Sequence, residues 1–324
     1  MSFSSDVKKE LINSKLEQGC VASLLCGAIL ASGSLVLTSG GVTFTMSSEN
    51  AGYIDFIKAQ IKAYYPQTHI EQNISNVSFK QKERIEIRVD SQSGRLILTD
   101  LGILSFTKDG NMVINRLGSS HLTIESQNKI AFLRGMFLGC GSVSIPEHVD
   151  VSDFSKAIKN SGYHLEWNVQ AREQASYIST MLAEFDILSK VVERNESYVV
   201  YIKEGQAISQ LLGILGAHKS LLNLENERAG REMRNLVNRQ ANCISANIDK
   251  SVNAALEQLK AIEVIKQTIG IESLPESLQE VALARLANPE GSLNEIKDVL
   301  EVKVSKGAVS QRFKKIIEIA KEIG

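Results

Sequence analysis

The chain has 324 residues, 43% of them hydrophobic and 23% charged, a globular composition that excludes a disordered or fibrous protein and is long enough for two or three domains. Its 36 basic and 37 acidic residues leave a formal net charge of −1, so any attraction to nucleic acid or to an anionic membrane has to come from a local patch. The 4 cysteines (20, 26, 140 and 243) form no CxxC pair and no two of the 5 histidines lie four apart, which argues against a zinc ribbon, a redox motif or a helical metal site.

Residues 18–48 carry no charge and follow Lys8, Lys9 and Lys15, the outward look of a signal anchor. Gly27, Ser32, Gly33 and Ser34 interrupt the apolar run, however, and Val42-Thr43-Phe44-Thr45-Met46 alternates like a strand after a Ser39-Gly40-Gly41 turn. The expectation is a buried helix over 20–32 and a hairpin of strands at 35–38 and 42–46, with no membrane span. A helix over 49–64 follows, its stripe being Tyr53, Phe56, Ile57, Ile61 and Tyr64. Strands at 68–75 and 85–89 and a helix over 92–104 complete an αββαββα unit.

After a connector holding Gly118-Ser119-Ser120 the order recurs. A helix is expected over 129–139, strands at 142–145 and 163–169, and a helix over 172–185. A hairpin of 187–192 with 198–203 turns at Arg194-Asn195-Glu196, and a helix over 206–217 closes the unit. The second copy carries an insertion around 146–161. Two such units predict two four-stranded antiparallel sheets related by a pseudo-twofold axis. The leading helices share a local pattern. Gly27 is followed, after five intervening residues, by Gly33-Ser34, and Gly135, after five intervening residues, by Gly141-Ser142. A mid-helix glycine costs about 1 kcal/mol against alanine, so close approach of two helices is its expected reason, with the terminal glycines as C-caps.

This pattern resembles the LAGLIDADG homing-endonuclease fold. That resemblance implies a central seam of motif helices, sheets that straddle the DNA major groove, and an acidic metal ligand before each final glycine. The two acid positions fall on Ser32 and Cys140, neither of them acidic, and no Asp or Glu lies between 18 and 48 to substitute. Magnesium requires carboxylate oxygen, so no catalytic residue and no metal or other cofactor is expected. Walker-type phosphate loops are absent as well.

From about 220 to 269 the chain lacks proline and reads as helix. Arg231, Asn235, Asn238 and Asn242 recur at spacings of 4, 3 and 4 on one face beside Arg239, and amides next to arginines suit phosphate and base-edge contacts. The stretch 241–269 is left open between self-association and packing on the tail. Leu274-Pro275-Glu276-Ser277 opens a helix with proline at its first position, using Val281, Leu283, Ala284 and Leu286 as apolar positions, and Asn288-Pro289-Glu290-Gly291 ends it. Ser292 and Glu295 form a capping box for a short helix over 293–300, and Ser305 caps a third. There Val309, Phe313, Ile316, Ala320 and Ile323 make a core stripe. Ser305, Lys306, Gly307, Ser310, Gln311, Arg312, Lys314 and Lys315 form an acid-free basic segment, fitting a helix-turn-helix at about 275–324 that reads double-stranded DNA.

The whole chain resembles the bacterial WhiA family of sporulation and cell-division regulators. The likeness rests on the opening residues 1–11, on Leu133-Arg134-Gly135-Met136-Phe137-Leu138, on Asn238 to Asn242, and on Ser305 to Ile316, where the family more commonly reads Ser-Lys-Ser-Gly-Val-Asn-His-Arg. The expected fold class is α+β: two pseudo-symmetric LAGLIDADG-like units (1–108 and 109–217) followed by an all-α helix-turn-helix domain (218–324). The resemblance implies a non-enzymatic, cytoplasmic, nucleoid-associated DNA-binding protein. It would regulate transcription in cell division, chromosome segregation and, in some lineages, sporulation, with other regulators or cell-division proteins as partners of the N-terminal domain. The alternatives are a protein-interaction scaffold and, more remotely, a metal-dependent nuclease.

Overall fold

The computed structural model describes residues 2–38, 41–77, 82–146 and 162–324. The expected turn at Ser39-Gly40, most of the insertion around 146–161, and His148 lie outside the described residues. Two compact units divide the chain, Met1–Ala229 and Gly230–Gly324.

In the first unit α2 (Val21–Ser32) is apolar on every side, and all its residues from Val21 to Ile29 are buried. Such a helix belongs at the centre of a core rather than on its surface. Its packing partner is α5 (Ser126–Cys140), buried without a break from Ala131 to Leu138. The glycines set the approach: a Cβ on Gly27 would overlap the Phe132 carbonyl, and one on Gly135 the Leu24 carbonyl. The terminal glycines Gly33 and Gly141 are the C-caps of the two helices, as expected. Gly33 and Gly141 are extended (φ −82° and −83°), and glycine is required there because a Cβ would strike the Ile29 carbonyl or the Phe137 side chain.

On this seam sit two antiparallel four-stranded sheets of matching order. β1 (Gly33–Thr38), β2 (Gly41–Ser48), β3 (Ile70–Val77) and β4 (Lys82–Val89) run β1-β2-β4-β3; β7 (Gly141–Ser144), β8 (His164–Val169), β9 (Lys190–Arg194) and β10 (Ser197–Ile202) run β7-β8-β10-β9. The β9–β10 turn stands where the sequence put it, with Asn195 and Glu196 both left-handed (φ 48° and 62°), the geometry that matches strand twist in a two-residue hairpin. Helices α3 (Ala51–Tyr64), α4 (Ser91–Asp100), α6 (Arg172–Ala183) and α7 (Gly205–Leu215) complete the repeats.

Several details differ from expectation. Tyr64 is exposed and Ile54 takes its place on the buried face of α3. Helix α4 ends at Asp100 because Gly102 turns left-handed (φ 68°); Leu104–Phe106 is then β5, paired with β6 (Met112–Ile114) across the connector. Strand β9 starts at Lys190, after left-handed Asp186 (φ 59°) and a buried Ile187 that anchors the loop. The sequence reading also passed over α1 (Phe3–Asn13), which Arg134 holds by donating to the carbonyls of Leu11, Ser14 and Lys15 at its C-terminal end. Buried Arg134 thus satisfies carbonyls that a helix end leaves unpaired.

Helix α8 (His218–Thr268) begins in the first unit and continues into the second. Its start is tied to α1 by the Glu10 carboxylate, which accepts from Lys219 N (2.7 Å), Ser220 N (2.9 Å) and Ser220 Oγ (2.7 Å). No helix among the described residues is long and apolar enough to cross a membrane.

Candidate nucleic-acid interface

The second unit is built from the end of α8 and three further helices: α9 (Glu276–Ala287), α10 (Leu293–Val299) and α11 (Lys306–Ile323). Its core joins Ile262, Ile265, Leu278, Val281, Ala282, Ile296, Val309, Phe313 and Ile316. Pro275 is the N-cap of α9, not its first helical residue, and Leu283 is exposed, with Leu278 and Ala282 buried in its stead. Both predicted caps form: Ser292 and Glu295 close a reciprocal capping box, and Ser305 Oγ accepts from Ala308 N at 3.2 Å.

Two side chains that sequence reasoning did not single out fix the geometry. Arg285, 2% exposed, donates from Nε to Gln258 Oε1 (3.0 Å) and from Nη1 to the carbonyls of Asn288 (3.4 Å) and Gly291, with its guanidinium 5.2 Å from the Phe313 ring centroid. It ties the α9–α10 turn to α8 and α11, and burial holds its pKa below the usual arginine value. The Glu280 carboxylate accepts from the backbone N–H of Glu301 (2.7 Å) and from Arg312 Nη1 (3.4 Å), so α9 grips both the turn and α11. Nothing in their local sequence marks either residue, since each also has a partner 20 or more positions away.

Arg312 is therefore half-buried in an ion pair, whereas Lys306, Gly307, Gln311, Lys314 and Lys315 are exposed and Ser310 is partly so. Gly307, Gln311 and Lys314 lie at spacings of 4 and 3, on the side of α11 opposite the buried Val309–Phe313–Ile316–Ala320 stripe. Lys303, exposed in the preceding turn, adds a cation that the sequence reading stopped short of. The first turn of α11 contains no acid, so its N-terminal partial charge and its lysines have the same sign and together favour a phosphate. On α8, Asn235, Asn238, Arg239 and Asn242 are exposed and Arg231 partly so; none of them enters the core of the C-terminal unit.

Ser32 and Cys140, the positions where the resemblance would place acids, are the last residues of α2 and α5. Ser32 Oγ donates to the Ala28 carbonyl (3.0 Å), leaving Tyr53 to donate its hydroxyl to Ser32 Oγ (2.9 Å). Tyr53 is buried, which raises its pKa further above the ordinary phenol value. Across the seam, burial pushes the Cys140 thiol up to about 12 against the opposing pull of Lys8. Lys8 Nζ donates to the Leu138 carbonyl (3.1 Å), 5.9 Å from the Phe137 ring centroid, and its own pKa is lowered by burial. The centre thus offers hydroxyls, a neutral thiol and a lysine nitrogen. That donor set does not fit a hard divalent metal, and no cluster of three potential His, Cys, Asp or Glu ligands occurs among the described residues.

Residues 237–320 match the family model for the WhiA C-terminal HTH domain, and residues 21–89 and 129–234 match that for the WhiA LAGLIDADG-like domain. "Probable cell division protein WhiA" of Clostridium beijerinckii is 36% identical over 328 residues, covering 100% of this chain and 99% of that protein. Its namesake in Thermoanaerobacter pseudethanolicus is 37% identical over 329 residues, covering 100% and 98%. The crystal structure of full-length WhiA from Thermatoga maritima superposes with a TM-score of 0.57 at 27% identity, over 100% of this chain and 99% of that one.

Proposed function

The chain belongs to the WhiA family, and on that premise we propose that it is a non-enzymatic double-stranded-DNA-binding protein of the bacterial nucleoid that regulates transcription in support of cell division and chromosome segregation. The observation that carries this reading is the acid-free, lysine-bearing face at the start of α11, opposite its core stripe. Inserted N-terminus first into the major groove, that face brings Gln311 to base edges. Ser305, Lys306, Gly307, Ser310, Lys314 and Lys315 line the adjoining backbone. Arg312, held by Glu280, orients the helix and lends it charge. Arg231, Asn235, Asn238, Arg239 and Asn242 supply further phosphate contacts from α8.

The filled centre at Ser32, Tyr53, Cys140 and Lys8 supports the absence of nuclease chemistry. The retained two-sheet architecture, comprising residues 1–108 and 109–217, then serves to hold regulators or cell-division proteins, and 218–324 serves DNA. A combined gel assay of the full chain on genomic fragments with Mg²⁺ tests both halves of this reading. Retardation without nicking is expected, and nicking overturns it. Lys314→Ala/Lys315→Ala is expected to weaken binding on every sequence and to lower the log–log salt slope by about 2, since each phosphate contact contributes about 0.9. An unchanged slope refutes the placement of these lysines on phosphates.

A further inference from the structure

Between Met233 and Leu256 helix α8 carries a second face. Met233, Val237, Ile244, Ile248, Val252 and Leu256 are each between 51% and 63% exposed, a run of large apolar side chains about 35 Å long. Isolated exposed apolar residues need no explanation, but a contiguous stripe marks a binding surface. With exposed Ala241, the positions 233, 237, 241, 244, 248 and 252 recur at spacings of 4, 4, 3, 4 and 4, the pattern of an 11-residue repeat suited to packing against another long helix. The Arg231, Asn235 and Asn242 side of the helix lies away from this stripe.

We propose that the stripe is a self-association surface, on which α8 of a second copy of the chain packs antiparallel. The spacing is symmetric about a two-fold axis between Asn242 and Cys243: Met233 meets the partner's Val252, Val237 the partner's Ile248, and Ala241 the partner's Ile244. The small residue falls next to the axis, where the helices come closest. Charge selects the direction. One flank of the stripe holds Arg234, Asn238, Ser245 and Asp249, and the other holds Leu236, Gln240, Asn247 and Ser251, with no charge. In antiparallel pairing like flanks face each other, which brings Arg234 within two residues, about 3 Å along the axis, of the partner's Asp249, twice per dimer. Parallel pairing sets the charged flank against the uncharged one and makes neither contact. Six half-exposed large side chains per copy, with their neighbours, bury on the order of 1,200 Å² in total, the lower end of a specific interface and enough for a reversible dimer.

The test is sedimentation velocity of the full chain over a range of micromolar concentrations. A reversible rise from one chain mass to two is expected; a single chain mass throughout overturns the proposal. Ile244→Glu, a substitution at an exposed site that leaves far-UV circular dichroism unchanged, is expected to abolish the rise, and a dimer that survives it refutes the surface. Arg234→Asp alone is expected to weaken association about tenfold, by making both symmetric pairs repulsive. Combining it with Asp249→Arg is expected to restore wild-type affinity, and failure of that restoration refutes the antiparallel register. None of these readouts uses DNA, so they stand independently of the DNA-binding reading.

Discussion

Replacing Gly135 by alanine sets two effects of known size against each other. In a free helix the change stabilises by about 1 kcal/mol, because alanine loses less backbone freedom on folding. Here the new methyl group would overlap the Leu24 carbonyl and come 2.9 Å from the Ala28 amide nitrogen. Both obstacles are backbone of α2, a helix buried along its length, so no side chain can rotate away. The two helices must separate, and forcing a group into a packed core costs typically about 1–3 kcal/mol, to which lost contacts along the seam add. A net loss of about 2 kcal/mol is expected for the first unit. Trp167, the single tryptophan, is fully buried in β8 of that unit, so urea unfolding followed by its fluorescence reads the loss directly. Gly230→Ala is the control: it lies within α8, where a Cβ meets only the Arg234 guanidinium at 3.4 Å, and it should be neutral or stabilising by up to about 1 kcal/mol in far-UV circular dichroism. A Gly135→Ala protein as stable as the wild type would refute the close-approach reading of both motif glycines.

Gly27→Ala should cost a similar amount, and the double substitution less than the two single losses together, because helices already forced apart accommodate the second methyl. Glu10 is pushed up by burial but held below the usual carboxylate range overall by the bonds from Lys219 and Ser220. Its contribution to stability is therefore complete above the unfolded-state pKa and lost as pH falls through the lower folded value. Glu10→Gln should remove up to about 1 kcal/mol at neutral pH and flatten the acid limb of the stability–pH curve, as measured by urea titration from pH 7 downward. An unaltered acid limb would show that the carboxylate does not cap α8. Arg285→Met should destabilise the C-terminal unit by about 2–4 kcal/mol, because it leaves Gln258 and the carbonyls of the α9–α10 turn without their donor. Thermal unfolding by circular dichroism checks it, and an unchanged C-terminal transition would mean that the turn holds its shape without Arg285.

The features legible in the sequence were those whose cause is local or periodic. The αββαββα order, the mid-helix glycines, the Asn195–Glu196 turn and the Ser292–Glu295 box each follow from spacing, or from a conformation that few residue types adopt. What escaped depends on contacts far along the chain. Helix α1 is amphipathic and held by Arg134, more than a hundred positions away, and the short β5–β6 pair reads as connector until each strand supplies the other's hydrogen bonds. The recognition segment was visible as an acid-free run, yet its sequence could not reveal that Arg312 is drawn toward Glu280. Nor could it say which face of α8 the chain leaves uncovered, since burial is a property of the partner as much as of the helix.

Lys8 also changes how the seam responds to its surroundings. A centre that holds a divalent metal borrows its positive charge from solution, so it answers to metal supply, to chelators and to competing metals. Here the nitrogen at the centre belongs to the chain itself, on Lys8, bonded to the Leu138 carbonyl. It arrives with folding, cannot be titrated with chelator, and keeps the same stoichiometry in every molecule. A partly buried lysine of this kind is screened by salt far less than the exposed charges of the surface.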